Sequence, residues 1–159
     1  MITVTVASDI EYADSLAYIM IAAWRSGFRG ILPDTVIENY TVFPNVKAMF
    51  SQLLASDAGA MYLASLNEKP VGLLYWLDER GCARIEALLT IPEVWGKGVS
   101  SALMNRALED VKDAGYSAIH VWPFAENHRA RRFYEKHGFH STDQIRTGDA
   151  AEIEYICYL

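Results

Sequence analysis

Between Ile91 and Ala102 the chain reads Pro92-Glu93-Val94-Trp95-Gly96-Lys97-Gly98-Val99-Ser100-Ser101: two glycines flanking a lysine, followed by two hydroxyls. The apolar run 85–91 precedes this stretch and a helix-patterned segment follows it, so the glycines fall where a strand hands over to a helix. A helix start carries unpaired N–H groups and the positive end of the helix dipole, which suits a phosphate or pyrophosphate. Glycine lets the backbone approach such an anion with no Cβ in the way.

The exact spacing narrows the anion. A P-loop needs Gly-x-x-x-x-Gly-Lys-Ser/Thr, but Lys97 is followed by Gly98 and no glycine stands at the required earlier position. A dinucleotide fingerprint needs Gly-x-Gly-x-x-Gly, and Gly96-Lys97-Gly98-Val99-Ser100-Ser101 has serine at the third glycine and lies mid-chain. A tight strand-to-helix turn with no ligand is the plain structural alternative. A second polar stretch, 127–139, runs from Asn127 through Tyr134 to Gly138-Phe139; there Asn127 can cap a helix and Tyr134 can be a core residue. Four histidines, His120, His128, His137 and His140, lack carboxylates at metal-ligand spacing, so no metal is expected.

Several elements must position these residues. Ile2, Val4 and Val6 alternate as a strand, and Asp9 can cap a helix whose stripe is Ile10, Ala13, Leu16, Ala17, Met20, Ile21 and Trp24. Gly27 and Gly30 end it. Pro33-Asp34 opens a short helix, and Pro44 starts another that carries Val46, Met49, Phe50, Leu53 and Leu54. Strands are predicted over 61–66, 71–77 and 82–91, joined by turn-rich Asn67-Glu68-Lys69-Pro70 and Asp78-Glu79-Arg80-Gly81 as an antiparallel meander. After the glycine turn, Val99, Ala102, Leu103, Ala107, Val111 and Ala114 line one helical face, with Gly115 as its C-cap. A strand over 116–122, a helix over 127–137, a strand over 139–145 and a strand-like end over 151–159 complete the pattern. The strand–helix–strand unit predicts one parallel pair within an otherwise antiparallel sheet.

With 159 residues, 52% hydrophobic and 21% charged, the chain reads as one globular domain. A net charge of −6 and the lack of a Lys/Arg block argue against nucleic acid as a partner. Cys82 and Cys157 form no Cys-x-x-Cys pair, and no apolar run has the length of a membrane span. The alternating start lacks the basic and apolar regions of a signal peptide, so a cytoplasmic protein with no membrane partner is expected.

The run 88–100 (Leu88-Leu89-Thr90 through Val99-Ser100) resembles the acetyl-CoA signature of the GNAT superfamily of N-acetyltransferases. The segment 127–139 is similar to that superfamily's Asn-x-x-Ala-x-x-x-Tyr-x-x-x-Gly-Phe motif, through Asn127, Ala130, Tyr134, Gly138 and Phe139. The usual Gln/Arg-x-x-Gly-x-Gly/Ala core is met at Gly98, with Trp95 in place of Gln/Arg and Ser100 as the last small residue. The resemblance implies an α/β, GNAT-like (acyl-CoA N-acyltransferase) fold over 1–159: a mixed, mostly antiparallel sheet of about seven strands with a central splayed parallel pair and helices on both faces. It implies acetyl-CoA as co-substrate and direct transfer of the acetyl group to a primary amine, on a small molecule or a peptide, in a ternary complex.

By the same resemblance, Leu88, Leu89 and Thr90 give main-chain contacts to pantetheine, and a backbone N–H of Leu89 or Thr90 polarises the thioester carbonyl. Trp95, Gly96, Lys97, Gly98, Val99, Ser100 and Ser101 surround the pyrophosphate. Asn127 lies beside the pantetheine or only caps its helix, and Tyr134 is the general acid for the departing thiolate. Glu86 is the general base or is simply paired with Arg84, Glu126 is a weaker candidate, and a water chain is an alternative. Arg131 and Lys136 reach an adenosine phosphate or form a solvated helix face. Trp24, Phe28, Tyr75 and Trp76 are candidates for the acceptor side, with one of the alternating Tyr75 and Trp76 directed to the cleft. A homodimer through an exposed strand fits the family. The rival readings are a non-catalytic acyl-CoA-binding or regulatory module on the same fold and, more distantly, a nicotinamide-dependent oxidoreductase.

Overall fold

In the computed structural model, which describes residues 1–159, the alternating start forms strand β1 (Ile2–Val6). Asp9 caps a single 3-10 turn, Ile10–Tyr12, through its Oδ1 and the Glu11 N–H at 2.9 Å, and helix α1 (Ala13–Gly27) begins only after it. A 3-10 turn repeats every three residues. Ile10 is therefore out of phase with the buried stripe Ala13, Leu16, Ala17, Ile19, Met20 and Ala23, and it is exposed. Helices α2 (Asp34–Tyr40) and α3 (Phe43–Leu54) follow, with α3 packed along α1.

The meander is β2 (Gly59–Leu66), β3 (Lys69–Glu79) and β4 (Cys82–Thr90). Its two-residue loops, Asn67-Glu68 and Arg80-Gly81, have positive φ at both positions, the twist that matches flanking strands in a tight hairpin. Then come α4 (Val99–Asp113), β5 (Ala118–Val121), α5 (His128–Lys136), β6 (His140–Arg146) and β7 (Glu152–Tyr158). Strand β5 is shorter than the predicted 116–122 because β4 diverges after Val121 and Pro123 has no N–H for a ladder.

The seven strands run in the order β1-β2-β3-β4-β5-β7-β6, with β4 and β5 the parallel pair and every other neighbour antiparallel. Hydrogen bonds show which helices cover which face. Trp76 Nε1–H donates to Tyr62 Oη at 3.1 Å, and Tyr62 Oη donates to Asp110 of α4 at 2.8 Å. Trp76 faces Ile85 across the ladder, Ile85 pairs with Val121, and Val121 with Tyr155. Tyr155 is bonded to Arg131 and Glu135 of α5, so α4 and α5 share one face of the sheet. Helix α1 packs over β3 and β4 on the other. Leu16, Ile19, Leu73, Leu74, Leu103 and Ile119 are fully buried between these layers, each contributing about 1.5–3 kcal/mol by burial.

Candidate active site

Strands β4 and β5 pair over only three rungs, Ala83 with Ile119, Arg84 with His120 and Ile85 with Val121. Beyond them β4 runs on to Thr90 with β3 as its neighbour on one side only. The parting begins at a bulge: Tyr75 pairs with Ala87 and Trp76 with Ile85, leaving Glu86 as the extra residue. Such a bulge bends its strand and increases the local twist, which carries β4 away from β5. Ile91 N–H donates to Val71 O at 3.0 Å, and Leu89 pairs with Leu73 in the same register. Antiparallel pairs alternate between bonded and non-bonded. The main chain of Leu89 is therefore taken by Leu73, and the N–H and C=O groups that open into the gap are those of Leu88 and Thr90.

The gap leads to the glycine turn. A 3-10 turn, Pro92–Val94, is followed by Trp95, then Gly96 at φ +78 and Gly98 at φ +86, both in the left-handed region that favours glycine. Gly98 is the N-cap of α4 and offers no side-chain cap, and the first helical bond is Ala102 N–H to Gly98 O. The N–H groups of Gly98, Val99, Ser100 and Ser101 are consequently free, and a Cβ built on Gly96 would meet nothing within 4 Å. This donor set with open space in front of it fits a pyrophosphate. Lys97 is exposed, whereas the Val99 side chain is buried beside Gly72 and can offer only backbone. The Trp95 ring is stacked under the Arg129 guanidinium, 3.7 Å from its centroid, which ties the loop after β4 to the helix after β5. Arg129 carried no signal in the sequence, since its partner is 34 residues away.

Asn127 caps α5, its Oδ1 accepting the Ala130 N–H at 3.2 Å. Arg131 is a brace, donating through Nε to Tyr155 Oη at 3.0 Å and through Nη1 to Ala125 O at 2.9 Å, while the side chain stays partly exposed. Lys136 stays exposed. Tyr134 is buried against Phe139 and Tyr155, and burial alone pushes its hydroxyl pKa far above the ordinary value of 10.0, with no hydrogen bond contributing. No fully buried side-chain oxygen or nitrogen lacks a partner in this protein, so the unbonded Tyr134 hydroxyl has to reach open space.

On the α1 side, Tyr40, Trp24, Phe28 and Phe124 form a continuous aromatic row with centroid spacings of 5.6, 5.2 and 5.1 Å, joining α2 and α1 to the loop after β5. Tyr75 lies on this face, where burial and the neighbouring Glu86 raise its pKa against the opposing effect of Arg84. Trp76 does not lie there. It is bonded to Tyr62 and edge-on to Tyr116 beneath α4, because alternation along β3 sends it to the opposite face. Glu86, half exposed, is ion-paired with Arg84, which also holds Glu79. Glu126 is exposed beside His128. His120, unremarkable in the sequence, has its Nδ1 3.2 Å from Glu154 Oε2, and Thr142 Oγ1 donates to Glu154 Oε1 at 2.7 Å.

A profile of the Acetyltransferase (GNAT) family matches residues 21–139, from α1 to the end of the Asn127–Phe139 motif. The chain belongs to that family. An N-acetyltransferase of Methanocaldococcus jannaschii is 29% identical over 104 residues, a match that spans 61% of this GNAT chain and 46% of that protein. The aminoglycoside N(6')-acetyltransferase type 1 of Klebsiella pneumoniae is 29% identical over 115 residues, 64% of this chain and 57% of its own. In structure, the PaiA N-acetyltransferase of Thermoplasma acidophilum in complex with coenzyme A superposes with a TM-score of 0.86 at 17% identity, covering 99% of both chains. The mixed sheet with one parallel pair is the arrangement expected of the GNAT fold.

Two buried tyrosines make the stability of this GNAT protein pH-dependent on the alkaline side. Burial raises Tyr62 to about 12, with the Trp76 N–H opposing and Asp110 reinforcing, and burial raises Tyr134 further. A phenol free in the unfolded chain titrates near 10. Both groups thus contribute stability that is complete below about pH 10 and is lost as pH rises toward their folded values. Absorbance at 295 nm should show at least two of the nine tyrosines ionising only together with the loss of the circular-dichroism signal. Ionisation of all nine before unfolding would contradict this.

Proposed function

We propose that this protein is an acetyl-CoA-dependent N-acetyltransferase that delivers the acetyl group to a primary amine by direct attack in a ternary complex. The observation that carries the reading is the gap between β4 and β5, with the bare main-chain groups of Leu88 and Thr90 along it and four free N–H groups of α4 at its end. Acetyl-CoA supplies the activated thioester, and the chain's own groups do the rest. Leu88 and Thr90 hold the pantetheine arm like an added strand. Gly98, Val99, Ser100 and Ser101 bind the pyrophosphate through N–H, with Gly96 giving it room and Lys97 adding charge. Trp95, with Arg129 stacked on it, walls this end, and Asn127 orients α5 beside the arm. The Leu88 N–H, nearer the point of parting, polarises the thioester carbonyl.

Tyr134 protonates the departing sulfur. Its raised pKa keeps the phenol intact at neutral pH, and its hydroxyl has no protein partner to give up first. The acceptor enters on the α1 face, between the aromatic row Trp24–Phe28 and Tyr75. The carboxylates of Glu79, Glu86 and Glu154 on this side favour a cationic amine, the chemistry that the Klebsiella relative's name describes for an aminoglycoside. Glu86 draws in the ammonium, while one of its oxygens stays committed to Arg84.

An amine library assayed for released CoA thiol, with thermal shifts for acetyl-CoA, CoA, NAD and ATP, tests this. Acetyl-CoA and CoA should raise the melting temperature, and at least one primary amine should release thiol. No response to CoA species would refute the proposal. Binding with no thiol release by any amine would favour the non-catalytic acyl-CoA module.

A further inference from the structure

His120 stands one rung before the point where the parallel strands part: it pairs with Arg84, and the final rung is Ile85 with Val121. Val121 shares the α5 face with Tyr155, so alternation sends His120 to the opposite, acceptor-side face. Glu154 of β7 meets His120 Nδ1 at 3.2 Å through Oε2, and its Oε1 accepts the Thr142 hydroxyl at 2.7 Å. Both carboxylate oxygens are therefore held. A carboxylate accepting an Nδ1–H fixes the imidazole tautomer and leaves Nε2 with a bare lone pair. The two side chains keep 24% and 18% of their exposure, enough to hold the ring while leaving it reachable. Other charged or titratable groups on the flanking strands are Arg84 and Glu86 of β4, Glu79 of β3, Glu152 and Tyr158 of β7, and His140, Asp143 and Arg146 of β6. Arg84 is tied to Glu79 and Glu86, Arg146 to Glu152, and His140 lies against Tyr158. A hydroxyl that orients a carboxylate that orients an imidazole is an arrangement suited to proton abstraction.

We propose that His120 is the general base toward the amine acceptor, with Glu154 and Thr142 as its positioning residues; this rests on the acetyltransferase reading above. Neutral Nε2 takes one proton from the acceptor ammonium. The freed nitrogen lone pair forms the C–N bond at the thioester carbonyl. The C–S bond breaks with its electron pair on sulfur, which takes the Tyr134 proton, and the second proton on the acylated nitrogen restores the Tyr134 phenol. His120 then releases its proton to solvent, so one ammonium and one thioester yield one amide, one thiol and one proton. Base and acid work from opposite faces of the sheet, which the gap alone connects.

His120→Asn keeps an N–H in the place of Nδ1 to satisfy Glu154 and removes the rest of the ring, with it the basic Nε2. On the acceptor found by the amine screen, the variant should lose about 10²-fold in kcat/KM at pH 7, a typical share for general-base catalysis. The deficit should shrink to within about 3-fold near pH 9.5, as an alkylamine approaches its own pKa of about 10 and needs no base. Glu154→Gln should show a smaller loss with the same pH shape. A deficit that is equal at all pH values, or below about 3-fold at pH 7, overturns the assignment. Acetyl-CoA thermal shifts on the same samples separate the two levels. A wild-type protein that binds no acetyl-CoA overturns the acetyltransferase reading and His120 with it, whereas binding and turnover indifferent to His120 overturn only the base.

Discussion

Tyr134→Phe is expected to lower kcat by about 10²–10⁴-fold, the usual contribution of a positioned proton donor, or roughly 2.7–5.5 kcal/mol of barrier. The substitution is clean because it removes one atom. Phenylalanine keeps the ring contacts with Phe139 and Tyr155, spaced at 5.4 and 6.5 Å between centroids. No protein hydrogen bond is broken, since the hydroxyl has no protein partner and opens into the gap, so its deletion costs the fold little. The melting temperature should hold, and KM for acetyl-CoA should stay within a few-fold. A kcat equal to wild type would remove Tyr134 from the mechanism. A collapse of acetyl-CoA binding instead of kcat would recast it as a wall of the pantetheine channel.

Gly59→Ala should act in the opposite way, on stability and hardly on rate. Gly59 opens β2 opposite Leu77, and a Cβ there would come within 2.2 Å of the Trp76 carbonyl oxygen and 3.0 Å of Leu77 Cα. Both obstacles are backbone within a sheet, so no side chain can swing aside. Overpacking of this kind costs about 3 kcal/mol or slightly more. For a chain of this length that lowers the melting temperature by about 6–12 °C. Gly59 pairs with Leu77 of β3, while the proposed reacting groups, Leu88, His120 and Tyr134, lie on β4, β5 and α5, so kcat measured well below the transition should match wild type. An unchanged melting temperature would show that β2 and β3 can separate at this end, and a specific loss of kcat would connect β2 to the reaction.

The order of elements was legible because each rests on local signals: the alternation of β1, the paired turn residues of the meander, the apolar stripe of α4 and the glycines at 96 and 98. The glycine run lies at the start of α4, and Tyr134 lies in α5. The misplacements have a common cause. Ile10, read into the α1 stripe, is set out of phase by a 3-10 turn, and Trp76 is sent under α4 by the alternation of a strand whose facing could not be read from its own residues. Leu89 was grouped with Leu88 and Thr90 because three consecutive residues look alike until the register with Leu73 shows which main-chain groups are spent. Arg131, partly exposed on its helix, also braces Tyr155, a contact that its position in the chain does not announce.

By itself, then, the sequence determined the family resemblance, the strand–turn–helix that can hold a pyrophosphate, and the residue types available for acid–base work. Those follow from short-range pattern, where each residue's neighbours in the chain are also its neighbours in space. Only the tertiary structure decided which groups are free to act. The three-rung pairing of β4 with β5, the Arg129–Trp95 stack, the commitment of Glu86 to Arg84 and the Thr142–Glu154–His120 chain all join residues on different strands or helices. Whether a side chain is spent or available depends on a partner brought in by the fold, and linear spacing carries no record of that.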